Sequence, residues 1–128
     1  MQYYFNKFVD MSFDEAVRNA TARLKDAGFG VLTEIDVKAT LKKKLDKDVR
    51  PYLILGACNP GFAYQALQAE NKIGTMLPCN VIVREDEDGR IEVAAIDPAA
   101  SMQAVDSPAL ADIAAQVRER LQGVIEKL

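Results

Sequence analysis

The stretch LGACNPGFAYQALQAENKIGTMLPCNVIV, residues 55–83, decides how this chain folds. The apolar run at residues 52–57, which overlaps its start, is typical of a buried strand, and residues 81–83 form the centre of another. Between them Asn59 is suited to cap a helix and Pro60 to begin one. Phe62 and the alanines after it supply that helix with an apolar side, and Gly74 is expected just past its end. The stretch therefore predicts a strand, a helix and a strand.

Helix signals on both sides of this stretch are equally local. Ser12 and Glu15 form a capping box that begins a first helix, which Gly28 ends. Asp36 is suited to cap a short second helix. Ser107 precedes Pro108 at the start of a long amphipathic helix of about 20 residues, whose apolar stripe suits either a core or a dimer face. Further strands are expected at residues 2–9, 30–35 and 90–96.

The order of these elements predicts one α+β domain that spans residues 1–128. Hydrophobic residues make up 49% of the chain, which is enough to bury a full core at this length. The run of acidic residues at 85–88 followed by Gly89 indicates a hairpin turn rather than a calcium loop. The strand at 52–57 is apolar without alternation, so it is expected to be buried on both faces.

Composition argues against several classes of function. The net charge of −3 disfavours nucleic acid as a partner, and no apolar run approaches the roughly 20 residues of a membrane span. The first residues lack the pattern of a signal peptide, so we expect a cytoplasmic protein with reduced cysteines and no membrane partner. Histidine is absent, which removes Ser-His and Cys-His nucleophile systems and histidine-ligated metal sites.

Two Cys-Asn pairs form the candidate site: Cys58 and Asn59 with Pro60, and Cys79 with Asn80. A thiol near a helix N-terminus favours its thiolate, and free amides there can receive an anion. Two buried thiols that serve only the core are the simpler interpretation, because free cysteine behaves as a small hydrophobe. A shared metal is a third interpretation, although two thiols are too few for a closed zinc site. We predict neither a metal nor a cofactor.

Several motifs resemble the family called domain of unknown function 302. They are Arg-Pro-Tyr at 50–52, Leu-Gly-Ala-Cys-Asn-Pro at 55–60, Ile-Gly at 73–74, Leu-Pro-Cys-Asn-Val at 77–81 and Asp-Pro at 97–98. The resemblance implies a β-α-β4-α arrangement like that of the TATA-binding protein, with a largely antiparallel five-stranded sheet, a long C-terminal helix and short inserted helices. It also implies a bacterial or archaeal homodimer. The family offers no catalytic role to transfer.

Three classes of function follow from these observations. The first, which we favour, is a homodimeric binding module for a small ligand or anion near the Cys-Asn segments. The second is a thiol-dependent redox or sulfur-transfer protein that uses Cys58 and Cys79. The third is a structural or interaction domain. The first two require the cysteines to lie at one end of the sheet, as they do if their strands are antiparallel neighbours, and we predict that arrangement with the thiols reduced.

Overall fold

The computed structural model of this chain describes residues 2–128. Its elements, in chain order, are β1 (Tyr4–Val9), α1 (Phe13–Asp26), β2 (Gly30–Asp36), α2 (Val37–Leu45), β3 (Tyr52–Cys58), α3 (Pro60–Ala69), a 3-10 helix (Ile73–Met76), β4 (Cys79–Glu85), β5 (Ile91–Ile96), α4 (Pro98–Ser101) and α5 (Pro108–Glu126). The predicted α+β class, five strands and long final helix are confirmed. None of the helices in this part of the chain is long and apolar enough to cross a membrane.

Helices α1, α2, α3 and α5 begin where the sequence predicts, because each of these starts is fixed by a hydrogen bond within one turn. In α1, α2, α3 and α5 the capping side chain accepts the backbone N–H three residues on, over 2.9 to 3.3 Å. Such a bond satisfies one of the amides that a helix start leaves unpaired. The four capping residues are Ser12, Asp36, Asn59 and Ser107.

All five strands join one antiparallel sheet in the order β1-β5-β4-β3-β2. Strands β3 and β4 are therefore antiparallel neighbours, as predicted. In their register Ala57 lies opposite Cys79, and Gly56 lies opposite Asn80. The C-terminal end of β3 and the N-terminal end of β4 thus meet at one end of the sheet.

The main core lies between one face of this sheet and helices α1 and α5. Leu24 of α1, Leu121 of α5 and the central strand residues Leu55, Val81 and Val93 are all fully buried there. The apolar stripe of α5 is used inside the fold, so it is not free to serve as a dimer face. A second, smaller cluster joins α3, the 3-10 helix and α5 beside the sheet.

Two expectations from the sequence were wrong. Helix α3 ends at Ala69, and Gly74 lies inside the 3-10 helix rather than just after α3. Ile73, only 1% exposed, is held in the smaller cluster, and this packing fixes the path of the chain there. Strand β3 is also not buried on both faces, because Tyr52 and Ile54 on the face away from the helices are only half-buried.

Candidate functional site

A cavity of about 250 Å³ opens where β3 and β4 meet the helices. Its walls come from the strand ends, from α3 and from α5, with Leu32 of β2 at its rim, where that side chain is 67% exposed. Both cysteines line it. The structure therefore brings the two predicted thiols to one cavity, although they are 21 residues apart in the sequence.

Strand pairing explains why both cysteines border one cavity. Cys79 begins β4 opposite Ala57, and Cys58 is the next residue along β3, where it ends the strand. Side chains of successive strand residues point to opposite faces. Cys58 nevertheless borders the same cavity as Cys79, because the chain turns into α3 only two residues later. Both cysteines are half-buried and free, as predicted.

Asn59 caps α3 and also touches the wall of the cavity. Its Oδ1 accepts the N–H of Phe62 at 3.2 Å, so this oxygen is already engaged by the fold. Pro60 follows at the first helical position, is exposed and does not line the cavity. Since proline contributes no N–H and Asn59 occupies that of Phe62, this helix start presents few free amides to an anion.

Asn80 lies on the other face of the sheet. It follows Cys79 directly in β4, so the pleat turns its side chain away from the cavity. There it is exposed and borders a separate hollow together with Tyr52 and Ile82. Of the five candidate residues, the structure places Cys58, Asn59 and Cys79 at the cavity and leaves Pro60 and Asn80 outside it.

The cavity disfavours negative charge. Burial, together with a smaller contribution from the neighbouring Cys58, raises the pKa of the Cys79 thiol from 9.0 to about 11. Desolvation acts this way because a thiolate loses its hydration when it is buried. The Cys79 thiol is therefore protonated at neutral pH, which weakens it as a nucleophile.

The lining is almost wholly apolar, and among the described residues no charged side chain contributes to it. The sequence had indicated part of this wall, because the buried side of α3 provides Phe62, Ala63 and Ala66. Met102, next to α4, and Val117 of α5 were not foreseen. Nothing local marks them, since only the packing of distant elements brings them to the strand ends.

No group of three or more His, Cys, Asp or Glu side chains within residues 2–128 is placed to hold a metal ion. Of these four residue types, only the two cysteines are found among the described residues that line the cavity. No carboxylate side chain among the described residues lines the cavity, and the side-chain oxygen of Asn59 is engaged by the N–H of Phe62, so the site offers little to a hard cation.

A second feature occupies the sheet face opposite the helices, which we call the open face. Towards one end of this face the Arg84 Nε donates to Glu92 Oε1 at 2.6 Å, and the Asn6 Nδ2 donates to Glu92 Oε2 at 2.7 Å. Glu92 is only 7% exposed. The pair raises the pKa of the Arg84 guanidinium through its hydrogen bond to Glu92. This face therefore carries an internally neutralised ion pair.

Comparison with known proteins agrees with the fold. A crystal structure of an uncharacterized conserved protein DUF302 from Bacillus stearothermophilus is 28% identical and superimposes with a TM-score of 0.92, covering 99% of this chain and 98% of that one. No curated protein matches the sequence. The family model described as domain of unknown function DUF302 matches residues 5–128. The chain therefore belongs to the DUF302 family.

Proposed function

We propose that this protein is a small-molecule binding module whose site is the cavity between Cys58, Cys79 and helix α3, and that its ligand is neutral and largely apolar. The observation that carries the proposal is a partly enclosed cavity of about 250 Å³ with an apolar lining. Apolar cavities with a few polar groups at one edge are the usual form of small-molecule sites. Asn59 and the two thiols supply that polar edge.

The volume of the cavity limits the size of the ligand. An engineered cavity of about 150 Å³ lined by aliphatic side chains is large enough to bind benzene. A volume of about 250 Å³ should accept a somewhat larger molecule, such as a bicyclic aromatic ring or a short branched hydrocarbon chain. We therefore expect affinity to rise from benzene to indole and naphthalene, and then to fall for rings too large to enter.

An anion is the less favoured ligand at this site. No cation lines the cavity within the described residues, and the raised pKa of Cys79 reflects surroundings that destabilise negative charge. The start of α3 offers few free amides, as described above. A redox or sulfur-transfer role is weakened for the same reason, since the Cys79 thiol is protonated at neutral pH.

Binding of a size series of neutral probes tests the proposal. Benzene, indole and naphthalene would be titrated against the full chain by ligand-detected NMR. Ala63→Leu places a larger side chain in the wall and should reduce indole affinity at least about tenfold, which corresponds to about 1.4 kcal/mol. Ala69→Leu is the matched control, because Ala69 is an exposed alanine of the same helix that does not line the cavity.

Two results would contradict the proposal. One is the absence of any probe binding to the folded wild-type protein, which would favour a structural or interaction domain. The other is equal loss of affinity in the Ala63 and Ala69 variants, which would place the binding site elsewhere on the protein. Circular dichroism on each variant separates lost binding from lost folding.

We further propose that the protein is a homodimer formed through the open face. The centre of this face is apolar, with Ile54, Ile82 and Ala94 in neighbouring positions on three strands. Five strands about 4.8 Å apart, each about six residues long at about 3.3 Å per residue, give a face of about 480 Å² before side-chain relief is counted. This flat area is below the roughly 600 Å² per partner that a stable interface buries, and the added surface of the protruding side chains brings the face closer to that value.

The occupant that suits this face best is a second copy of the chain. The ion pair of Arg84 and Glu92 is neutral as a unit, so two such faces meet without net repulsion. Light scattering at tens of micromolar should give the dimer mass, and Ile82→Glu should give the monomer with an unchanged circular dichroism spectrum. Gln116→Glu, on the exposed side of α5, should remain dimeric. A monomeric wild type would contradict this part of the proposal.

A further inference from the structure

Three sulfur-bearing side chains line the cavity. Cys58 ends β3, Cys79 begins β4, and Met102 directly follows α4. Met102 is 9% exposed and packs in the smaller cluster between α3 and α5. These residues are far apart in the sequence, and it is the tertiary fold that brings all three to one cavity.

The register of the strands makes a direct disulfide between the two thiols unfavourable. Cys79 lies opposite Ala57 and not opposite Cys58, so the two cysteines are offset by one residue. A disulfide needs a sulfur–sulfur distance of about 2.05 Å and Cβ atoms about 3.8 Å apart. An ion held by two thiolates at about 2.3 Å each spans up to twice that distance, and so tolerates the offset. A bridging ion suits this geometry better than a bond.

The donor set selects the kind of ion. Thiolate and thioether ligands are soft and favour Cu(I), whereas carboxylate and carbonyl ligands favour magnesium, calcium and manganese. Zinc prefers a closed tetrahedral site of four nitrogen or sulfur ligands, which this cavity does not offer. Two thiols with one thioether in an apolar, partly enclosed cavity therefore match a soft monovalent ion of low coordination number.

We propose that Cys58 and Cys79 bind Cu(I) as a bis-thiolate, with the Met102 thioether as a third, weaker ligand. Binding converts two thiols and Cu(I) into a complex with net charge −1 and releases two protons to solvent. Copper stays monovalent and neither sulfur is oxidised, so no electron donor or acceptor is required. Cu(I) offsets one of the two thiolate charges, and Met102 adds a ligand without adding another, which limits the negative charge held in a cavity lined by apolar groups.

The proposed copper site is a second function, in addition to the binding of a neutral molecule. It does not require that the first proposal be correct. A copper ion occupies the wall formed by the strand ends, whereas the proposed ligand fills the volume beside α3. The two activities therefore respond to different substitutions. Ala63→Leu should abolish binding of indole and leave Cu(I) affinity unchanged. Cys58→Ser and Cys79→Ser should weaken Cu(I) binding far more than the binding of indole, whose contacts in this cavity are mainly apolar, so failure of either proposal can be recognised separately.

Anaerobic competition with a chromogenic Cu(I) chelator, bicinchoninate, tests the site on the full chain. We expect one Cu(I) per chain. Cys58→Ser and Cys79→Ser should each weaken binding by more than about 100-fold, because even loss of an outer-shell partner costs about 10- to 100-fold in metal affinity. Met102→Leu should weaken it by about tenfold, near the lower end of that range. Met76→Leu is the control, since Met76 is 38% exposed and does not line the cavity.

A second measurement on the wild-type protein keeps the test decisive if a serine variant fails to fold. X-ray absorption at the copper edge should show two or three sulfur atoms at roughly 2.3 Å, close to the usual metal–thiolate distance. Bound Cu(I) should also protect both thiols from alkylation. A first shell dominated by nitrogen or oxygen, or serine variants that are folded and bind as tightly as wild type, would overturn the proposal.

Discussion

Gly56→Ala tests how closely β3 is packed beside the cavity. A Cβ atom at this position would lie 2.2 Å from the Thr33 Oγ1 and 2.9 Å from the Pro78 Cγ. Thr33 is its partner on β2, and Pro78 directly precedes β4 and lines the cavity. Contacts below 3.0 Å do not persist, so the substitution must displace one of these neighbours. The glycine is thus required by a close approach and not by an unusual backbone angle.

Two opposing effects set the size of the stability change in Gly56→Ala. Overpacking of a close-packed site costs about 1 to 3 kcal/mol, and the 2.2 Å contact places this site in the upper part of that range. Alanine restricts the unfolded chain more than glycine does, which stabilises the folded state by about 0.4 to 1 kcal/mol. The steric cost is larger, so we expect a net destabilisation of about 1 to 2 kcal/mol.

Thermal and urea unfolding measure this change. An unfolding entropy of about 2.1 cal/mol/K per residue gives about 0.27 kcal/mol/K for 128 residues, so Tm should fall by about 4 to 7 °C. Gly30→Ala is the matched control, because Gly30 is in the adjacent strand and a Cβ there meets no atom within 4 Å. This control should be neutral or slightly stabilising.

The source of the strain is tested by Thr33→Ala. Thr33 is exposed, so its replacement alone should change stability by no more than about 0.5 kcal/mol. In the double variant the shortest contact is removed, and part of the loss should be recovered, with a coupling energy of about 1 kcal/mol. The Pro78 contact should keep the double variant below wild type. Gly56→Ala as stable as wild type would refute the packing argument.

Three further substitutions probe the caps, the cavity and the open face. Asn59→Ala should lower the free energy of unfolding by about 1 kcal/mol, because the N–H of Phe62 loses its acceptor. A urea unfolding curve identical to that of wild type would disprove the capping role. Stability should fall by about 2 kcal/mol between pH 9 and pH 11, because the Cys79 thiol ionises more readily in the unfolded chain than in the folded protein over that range, and Cys79→Ala should lack this component. Glu92→Ala should lower the free energy of unfolding by about 2 to 3 kcal/mol. This is less than the loss of one partner from a fully buried ion pair costs, because Arg84 is 30% exposed. A loss below about 0.5 kcal/mol in chemical denaturation would contradict this prediction.

The starts of the helices were determined by the sequence itself. Ser12, Asp36, Asn59 and Ser107 each accept an N–H three residues away, and such a bond depends on nothing outside its own turn. The strands and the hairpin turn at Gly89, which has a φ of 80°, were also predictable from short patterns. Their antiparallel order was not a local property. It was anticipated through the family resemblance and is fixed by the pairing of distant segments.

The end of α3 was not determined locally. Gly74 was expected just past the end of this helix, but the chain leaves α3 at Ala69 and forms a separate 3-10 turn. Ile73 is buried against Leu110 and Met102, which lie more than 25 residues further along the chain. Burial in that cluster outweighs the helical preference of the intervening residues, because tertiary packing routinely overrides intrinsic propensity.

At the candidate site, too, some features were predictable from the sequence and others depend on the tertiary structure. The sequence singled out Cys58, Asn59 and Cys79, and their position at the strand ends followed from the order of elements. It could not show that Asn80 points to the opposite face until the start of β4 was known, because a shift of one residue in a strand exchanges its two faces. Nor could it place Met102 beside the thiols. The cavity exists only where β3, β4, α3 and α5 pack together, and that packing depends on contacts that no short segment contains.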